Sequence, residues 1–240
     1  MSGDTRARPR RTIAASAVAG ALLALAIPVT PAYATTIPPS TRHAPYSYLA
    51  TQPRNAKAPV RWDPCTVHRY KIVSGGTDAT VRASLRAAVA RLSKASGIPL
   101  VYAGITSVMP RRASAGTLPR AAGADIVLAF ARPGSGRGRT DLLPSTNTLL
   151  GVGGAYYTWV GTKPAWFVSG YGVFDVRRVP RTAAGRTRMF EHEVGHALWL
   201  GHVGLPSDVM YPVQSSTSVT WSTGLAHGLL AVGRPAGCRA

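Results

Sequence analysis

Between residues 78 and 96 apolar side chains return at Val81, Leu85, Ala88, Val89 and Leu92, steps of three and four that place them on one face of a helix. Thr77 stands where an N-cap belongs and Gly97 where a helix stops, so the pattern predicts one amphipathic helix. Around it the apolar runs are of strand length. "RYKIV" (69–73), closed by the turn residues "SGGT", predicts a first strand, and "PLVYAG" and "ADIVLAF" (124–130) predict two more. The last of these is apolar throughout, as a strand buried on both faces should be. Glycine- and arginine-rich loops such as "ARPGSGRGRTD" come next. "GVGGAYYTWVG" and "GYGVFDV" (170–176) then read as two further strands, their glycines marking bulges or edges. A helix follows over 182–200. "WSTGLAHGLLAVG" carries Leu225, Leu229 and Val232 at i, i+4 and i+7, a closing helix weakened by Gly224 and Gly228. No segment repeats. The layout is α+β: strands and one helix first, a histidine-bearing helix in the middle, and a small loop-rich C-terminal part.

The first residues stand outside this pattern. A basic start (Arg6, Arg8, Arg10, Arg11) precedes the apolar run Ile13–Ile27 and the small-x-small triplet Ala32-Tyr33-Ala34. That order predicts a signal peptide over 1–34, cleaved after Ala34, and a secreted, extracellular product. The apolar run is about 15 residues, short of the roughly 20 that span a bilayer. Arg10-Arg11 leaves the export route open between the general and the twin-arginine systems. Residues 35–60 are rich in proline and polar residues and show no period, which predicts a linker or mobile N-terminal arm before a domain over 61–240. A domain of that length can bury a sizeable core.

Charge adds one expectation. The chain has 28 basic and 9 acidic residues; without the leader's four arginines and one aspartate, 24 and 8 remain, a formal +16. Such an excess favours weak association with anionic cell-wall polymers. No basic stripe with interleaved aromatics exists, so specific nucleic-acid binding is not expected. Two cysteines, Cys65 and Cys238, flank the domain, and in an oxidising compartment an even count predicts a disulfide. Closing so long a loop stabilises by roughly 4–5 kcal/mol on the chain-entropy model.

The chemistry sits in "HEVGHALWLGH", residues 192–202. Residues four apart on a helix lie about 6 Å along the axis and nearly on one face, so His192 and His196 can each put a ring nitrogen about 2 Å from one Zn²⁺. Glu193 projects beside them, where its carboxylate can reach a water on the metal without ligating it. A catalytic zinc takes a third protein ligand and keeps one position open. No glutamate follows Glu193, which leaves His202, Asp208 and His227. A straight helix would carry His202 some 9 Å further along and onto another face, so the chain must bend first. Gly201 can adopt a left-handed conformation freely; Trp199 cannot.

"HEVGHALWLGH" followed by "PSDVMYP" resembles the zinc signature and Met-turn of the metzincins, and within them the matrixins, whose motif reads HExxHxxGxxH with a downstream Met-x-Pro turn. The similarity covers most of residues 61–240 and is of the small secreted actinobacterial type, with "RWDPC" and "GRPAGC" near the domain's two ends. The resemblance implies a twisted mixed sheet with a backing helix, a central zinc-binding helix and a small C-terminal subdomain ending in a helix. It assigns zinc ligation to His192, His196 and His202, the general base to Glu193, and the floor beneath the zinc to Met210. It makes "GYGVF", with Gly170, Tyr171 and Gly172, the edge strand to which an extended peptide would add. Asp208 then becomes a Met-turn residue and His227 part of the closing helix. "WDPCTV" lacks the Pro-Arg-Cys-Gly setting of an inhibitory cysteine, which leaves Cys65 for the disulfide.

Two departures from the family pattern stand out. Trp199 occupies the motif's glycine, at a strain of about 1–2 kcal/mol if it turns left-handed, against roughly 10 kcal/mol that a three-ligand zinc can contribute. "GRTDLLPSTNTLLGVGGA" has one aspartate, Asp141, and no histidine, so the family's structural zinc is expected to be missing and calcium stays open. The implied reaction is zinc-assisted hydrolysis of a protein or peptide by a monomeric endopeptidase. The alternative is a secreted binding protein on a degenerate scaffold, in which Trp199 keeps His202 from the metal.

Overall fold

The computed structural model describes residues 46–112, 123–145, 149–213 and 221–239. The expected signal peptide and its cleavage site lie outside the described residues. Twelve elements follow in chain order. A hairpin of β1 (Thr51–Gln52) and β2 (Asn55–Pro59) leads to β3 (His68–Val73), α1 (Ala79–Ser96), β4 (Leu100–Ile105), β5 (Ile126–Pro133) and the short β6 (Arg139–Thr140). Then come β7 (Gly151–Thr158), β8 (Trp166–Asp175), α2 (Ala183–Ala197), α3 (Thr223–Val232) and a 3₁₀ turn, Arg234–Ala236.

The main sheet is mixed, in the order β4-β3-β5-β8-β7, with β6 beside the end of β5. All its pairs are parallel except β7 with β8, which the short 159–165 turn joins antiparallel. One face carries α1 and α2, and Leu85, Ala88, Val89 and Leu92 of α1 are buried there, as their spacing predicts. Phe130, Phe174 and Phe190 join β5, β8 and α2 through ring contacts of 4.9–5.8 Å. Such pairs stabilise by about 0.5–1.5 kcal/mol each beyond the area they bury. Val127, Ala129, Tyr171 and Val173 fill a second cluster on the other face. Strand β5 is therefore covered on both sides, as its unbroken apolar run implies.

Local details differ from expectation in three places. Asp78, not Thr77, caps α1: its Oδ1 accepts from the Val81 N–H at 2.7 Å, while Thr77 Oγ1 donates to the Ser74 carbonyl. Gly97 ends the helix at φ 70°, in the left-handed region where it was expected to stop. The second difference concerns the segment ahead of residue 61. Over 46–60 it is a pinned hairpin, not a mobile arm. Gln52 clamps it to the turn before β8, its amide donating to Ala165 O (3.0 Å) and accepting from Ala165 N (2.7 Å).

The third difference is the most consequential. "GYGVF" is not an edge. Gly170 pairs with Ile126 of β5 on one side and Ala155 of β7 on the other. Its glycines serve packing within the layer: a Cβ on Gly170 would lie 2.9 Å from Trp62, and one on Gly172 2.9 Å from Leu128. Among the described residues the edge strand on this side of the sheet is β7.

At the far end Cys65 and Cys238 are disulfide-bonded across 173 residues. Such a bond fits an oxidising compartment. No helix among the described residues is long and apolar enough to cross a membrane.

Candidate metal centre

Helix α2 starts at Thr182, whose hydroxyl accepts from the Gly185 N–H at 3.1 Å, and from Arg188 to Ala197 every residue is buried. Its last turn closes by two bonds that define a Schellman motif: Leu200 N–H to Gly195 O and Trp199 N–H to His196 O, both 2.9 Å. The motif requires a left-handed residue at the position after the cap, and Trp199 supplies it with φ 78°. Among the described residues it is the one non-glycine with positive φ. Gly201 is not used for the turn. It is small because the chain of Ser47 crosses there: a Cβ would meet Ser47 Oγ at 2.5 Å.

What holds an indole in so strained a place is the N-terminal segment. Trp199 is 7% exposed, its Nε1 donates to Ala50 O at 2.9 Å, and its ring lies 4.8 Å from Phe167 and 6.2 Å from Tyr157. Three more bonds tie residues 47–49 across the turn: Leu49 N to Trp199 O (3.2 Å), Gly201 N to Ser47 O (2.7 Å) and Ser47 Oγ to His202 O (2.6 Å). Burying a tryptophan's 150–250 Å² yields roughly 4–6 kcal/mol, more than the 1–2 kcal/mol of backbone strain. The strain is offset locally, before any metal binds.

Past that turn, His202 comes back over α2. The three Nε2 atoms form a triangle with sides of 3.1 Å (His192–His196), 3.1 Å (His196–His202) and 3.2 Å (His192–His202). Nδ1 of His192 donates to Val209 O and Nδ1 of His196 to Leu200 O, each at 2.7 Å. Carbonyls only accept, so in the neutral rings these protons sit on Nδ1, and bare Nε2 lone pairs converge on one point. Burial pushes His192 down to about 3, His196 well down and His202 down as well, which keeps all three rings neutral near pH 7. A tetrahedral zinc at 2.0–2.1 Å sets its ligand atoms about 3.3–3.4 Å apart, close to the observed triangle. The donor set fits a metal ion such as zinc, and among the described residues it is the one group able to hold one.

Glu193 stands next to the first ligand, 4% exposed, and burial pushes its carboxyl up to about 8. Strand β7 lies directly over it. A Cβ on Gly151 would sit 2.8 Å from Glu193 Cγ, and one on Gly153 would sit 2.0 Å from Glu193 O and 2.8 Å from His196 Cβ. Glycine at both positions is what lets the edge strand touch the helix. Their period-two spacing is the one signal of this in the sequence, where glycine in a strand equally fits a bulge or an edge.

Beneath the triad runs the loop around Met210. Met210 is 1% exposed and a Cβ on Gly195 would lie 2.7 Å from its Sδ, so the first glycine of the motif makes room for the thioether. Asp208 is turned away from the histidines, its Oδ1 accepting from Met210 N at 2.6 Å, and His227 is exposed on α3; neither joins the triad. Arg188, one turn before His192 and buried, donates to Asp208 O at 2.9 Å and Pro206 O at 3.3 Å. It thereby fixes the loop whose Val209 carbonyl orients His192. A buried arginine in a helix reads from sequence as surface, so this residue was missed. Glu191 is equally hidden, held by Arg91 at 2.6 Å and Trp221 Nε1 at 2.9 Å, and its role is to join α1, α2 and the approach to α3.

The chain matches no protein-family model, and no curated protein is significantly similar to it. The functional reading therefore rests on the geometry of the site.

Proposed function

We propose that the chain is a secreted zinc endopeptidase of the metzincin type, matrixin-like in its motif. The observation that carries this reading is the set of three Nε2 atoms 3.1–3.2 Å apart, with a buried carboxylate on the same helix beside them. Metal binding alone has no use for Glu193. Export is supported by the leader-like first 34 residues and by the disulfide.

Zinc bound there supplies Lewis acidity toward water and a scissile carbonyl. Glu193 takes the proton of the attacking water on its carboxylate and returns it to the departing amine. In the metal-free chain burial alone raises its affinity for a proton. Val209 O and Leu200 O hold His192 and His196 in the tautomer that leaves Nε2 free. The substrate main chain pairs with the free edge of β7, where Gly151 and Gly153 keep it close to Glu193.

Digestion of casein by the leaderless chain is the test, with Glu193→Gln as its partner. The reading expects hydrolysis by the parent chain and none by the variant, with one zinc retained in both. Zinc in both proteins and hydrolysis in neither would instead support a binding protein on a protease scaffold.

A further inference from the structure

Where β7 ends, the surface opens. Thr158 runs into Trp159 and the turn before β8, and opposite that turn lie the β1–β2 hairpin and the C-terminal 3₁₀ turn. The cavity between them measures about 490 Å³, within the range of ligand sites. Trp159 and Trp166 make an aromatic wall. Arg61 belongs to that wall: its guanidinium stacks 4.7 Å from the Trp166 ring and donates to Ala236 O (2.8 Å) and Gly237 O. Arg54 and Lys163 are different. Both are exposed, Arg54 on the β1–β2 turn and Lys163 on the turn before β8, and among the described residues no Asp or Glu lines the groove with them.

In a chain with 28 basic and 9 acidic residues, three cations together carry little weight alone. Their position carries more. Gly153 lies against Glu193 and His196, Thr158 ends the same strand five residues further on, about 17 Å at strand rise, and Trp159 follows it. A peptide pairing antiparallel to β7, the more stable of the two directions, has its cleaved bond beside Gly151–Gly153 and its N-terminal part at Thr158. That part enters the groove about five to seven residues before the cleaved bond. The aromatic wall accepts its main chain or apolar side chains, and Arg54 and Lys163 face its charged ones.

We propose that this groove selects substrates with acidic side chains upstream of the cleaved bond. The proposal rests on the endopeptidase reading and adds a substrate class to it. Arg54 and Lys163 act on binding, not on the reacting atoms, so upstream acids lower KM and leave kcat unchanged.

The test uses the zinc-loaded full chain carrying Glu193→Gln and fluorescent peptides long enough to span β7 and the groove. One peptide has glutamates in its N-terminal third, a second has lysines there, and a third has the glutamates in its C-terminal third. Anisotropy at low salt should show the first binding about tenfold tighter than the second, because two exposed attractions become two repulsions. The preference should reverse, the lysine peptide binding tighter, when Arg54→Glu and Lys163→Glu are added, and shrink to about twofold at high salt. Equal binding of the first two peptides, a preference for downstream glutamates, or retention of a teichoic-type polymer with all peptides refused would each overturn it. The two readings fail separately. Charge-patterned binding without any hydrolysis by the parent chain sinks the endopeptidase and keeps the groove; casein hydrolysis indifferent to upstream charge sinks the groove alone.

Discussion

The first two histidines and the third reach the same point by different means. His192 and His196 are set by the helix they share, a four-residue step that any stable α2 would deliver. His202 lies six residues beyond His196, and its position depends on a strained tryptophan and on residues 46–50, some 150 positions earlier in the chain. Half of the site is local geometry; the other half is tertiary structure. Disturbing the helix start should cost stability and spare the metal, whereas disturbing the hinge should affect both.

The largest effect is expected at the hinge itself. Trp199→Ala removes the buried indole and keeps the strained φ, a loss of about 3–5 kcal/mol in a denaturation experiment. Trp199→Gly relieves the left-handed strain, so it should be about 1 kcal/mol more stable than the alanine variant and still less stable than the parent. An alanine variant equal to the glycine one would mean that the left-handed turn is not used. Next comes Arg188→Met, which strips the donor from the buried Asp208 carbonyl and the half-buried Pro206 carbonyl and should cost about 1–3 kcal/mol. It should also weaken zinc binding, about 10-fold or more by chelator competition, because His192 loses its oriented acceptor loop.

Smaller effects separate the two halves of the site. Thr182→Ala uncaps α2 and should lose about 1 kcal/mol with zinc affinity unchanged. Ser47→Ala removes the bond to His202 O, costs a similar or smaller amount, and should lower zinc affinity several-fold, about what a hydrogen bond is worth. Equal zinc affinity in these two variants would erase the distinction between helix-borne and hinge-borne ligands.

The metal-free protein should carry the site's titration in its stability. The unfolded chain protonates the three histidines near pH 6.5 and the folded chain only lower, so stability falls as pH drops below about 6.5. Glu193 acts oppositely. Its folded carboxyl keeps a proton up to about 8, so its contribution declines as pH rises from about 4.5 to 8. Below 6.5 three histidines outweigh one glutamate, and above it the glutamate acts alone. Urea midpoints of the metal-free chain should peak near pH 6.5 and shift to higher pH on adding zinc.

Much of this was legible in the sequence because it is periodic. The helices, the principal strands and the His192–His196 pair follow from spacing, and the disulfide from there being only two cysteines. The strand order was not, because glycine in a strand signals close approach and free edge alike. Gly170 and Gly172 make room for Trp62 and Leu128 inside the sheet, while Gly151 and Gly153 make room for Glu193 at its edge. Only pairing with β5, set by contacts over 40 residues away, tells the two apart. Residues 46–60 were misread for a related reason: backbone carbonyls and a glutamine amide tie them down, and these leave no apolar period. Trp199 looked like damage to a motif because its partner, Ala50, stands 149 positions away.

Zinc affinity of His202→Ala beside His227→Ala tests the central claim most directly. With three nitrogens meeting at one ion, the parent chain holds one zinc, His227→Ala holds it equally well, and His202→Ala loses about a hundredfold or more in competition with a chelator. Undiminished zinc in His202→Ala would show that the bend at Trp199 delivers no ligand, and the hydrolase built on it would have to be abandoned.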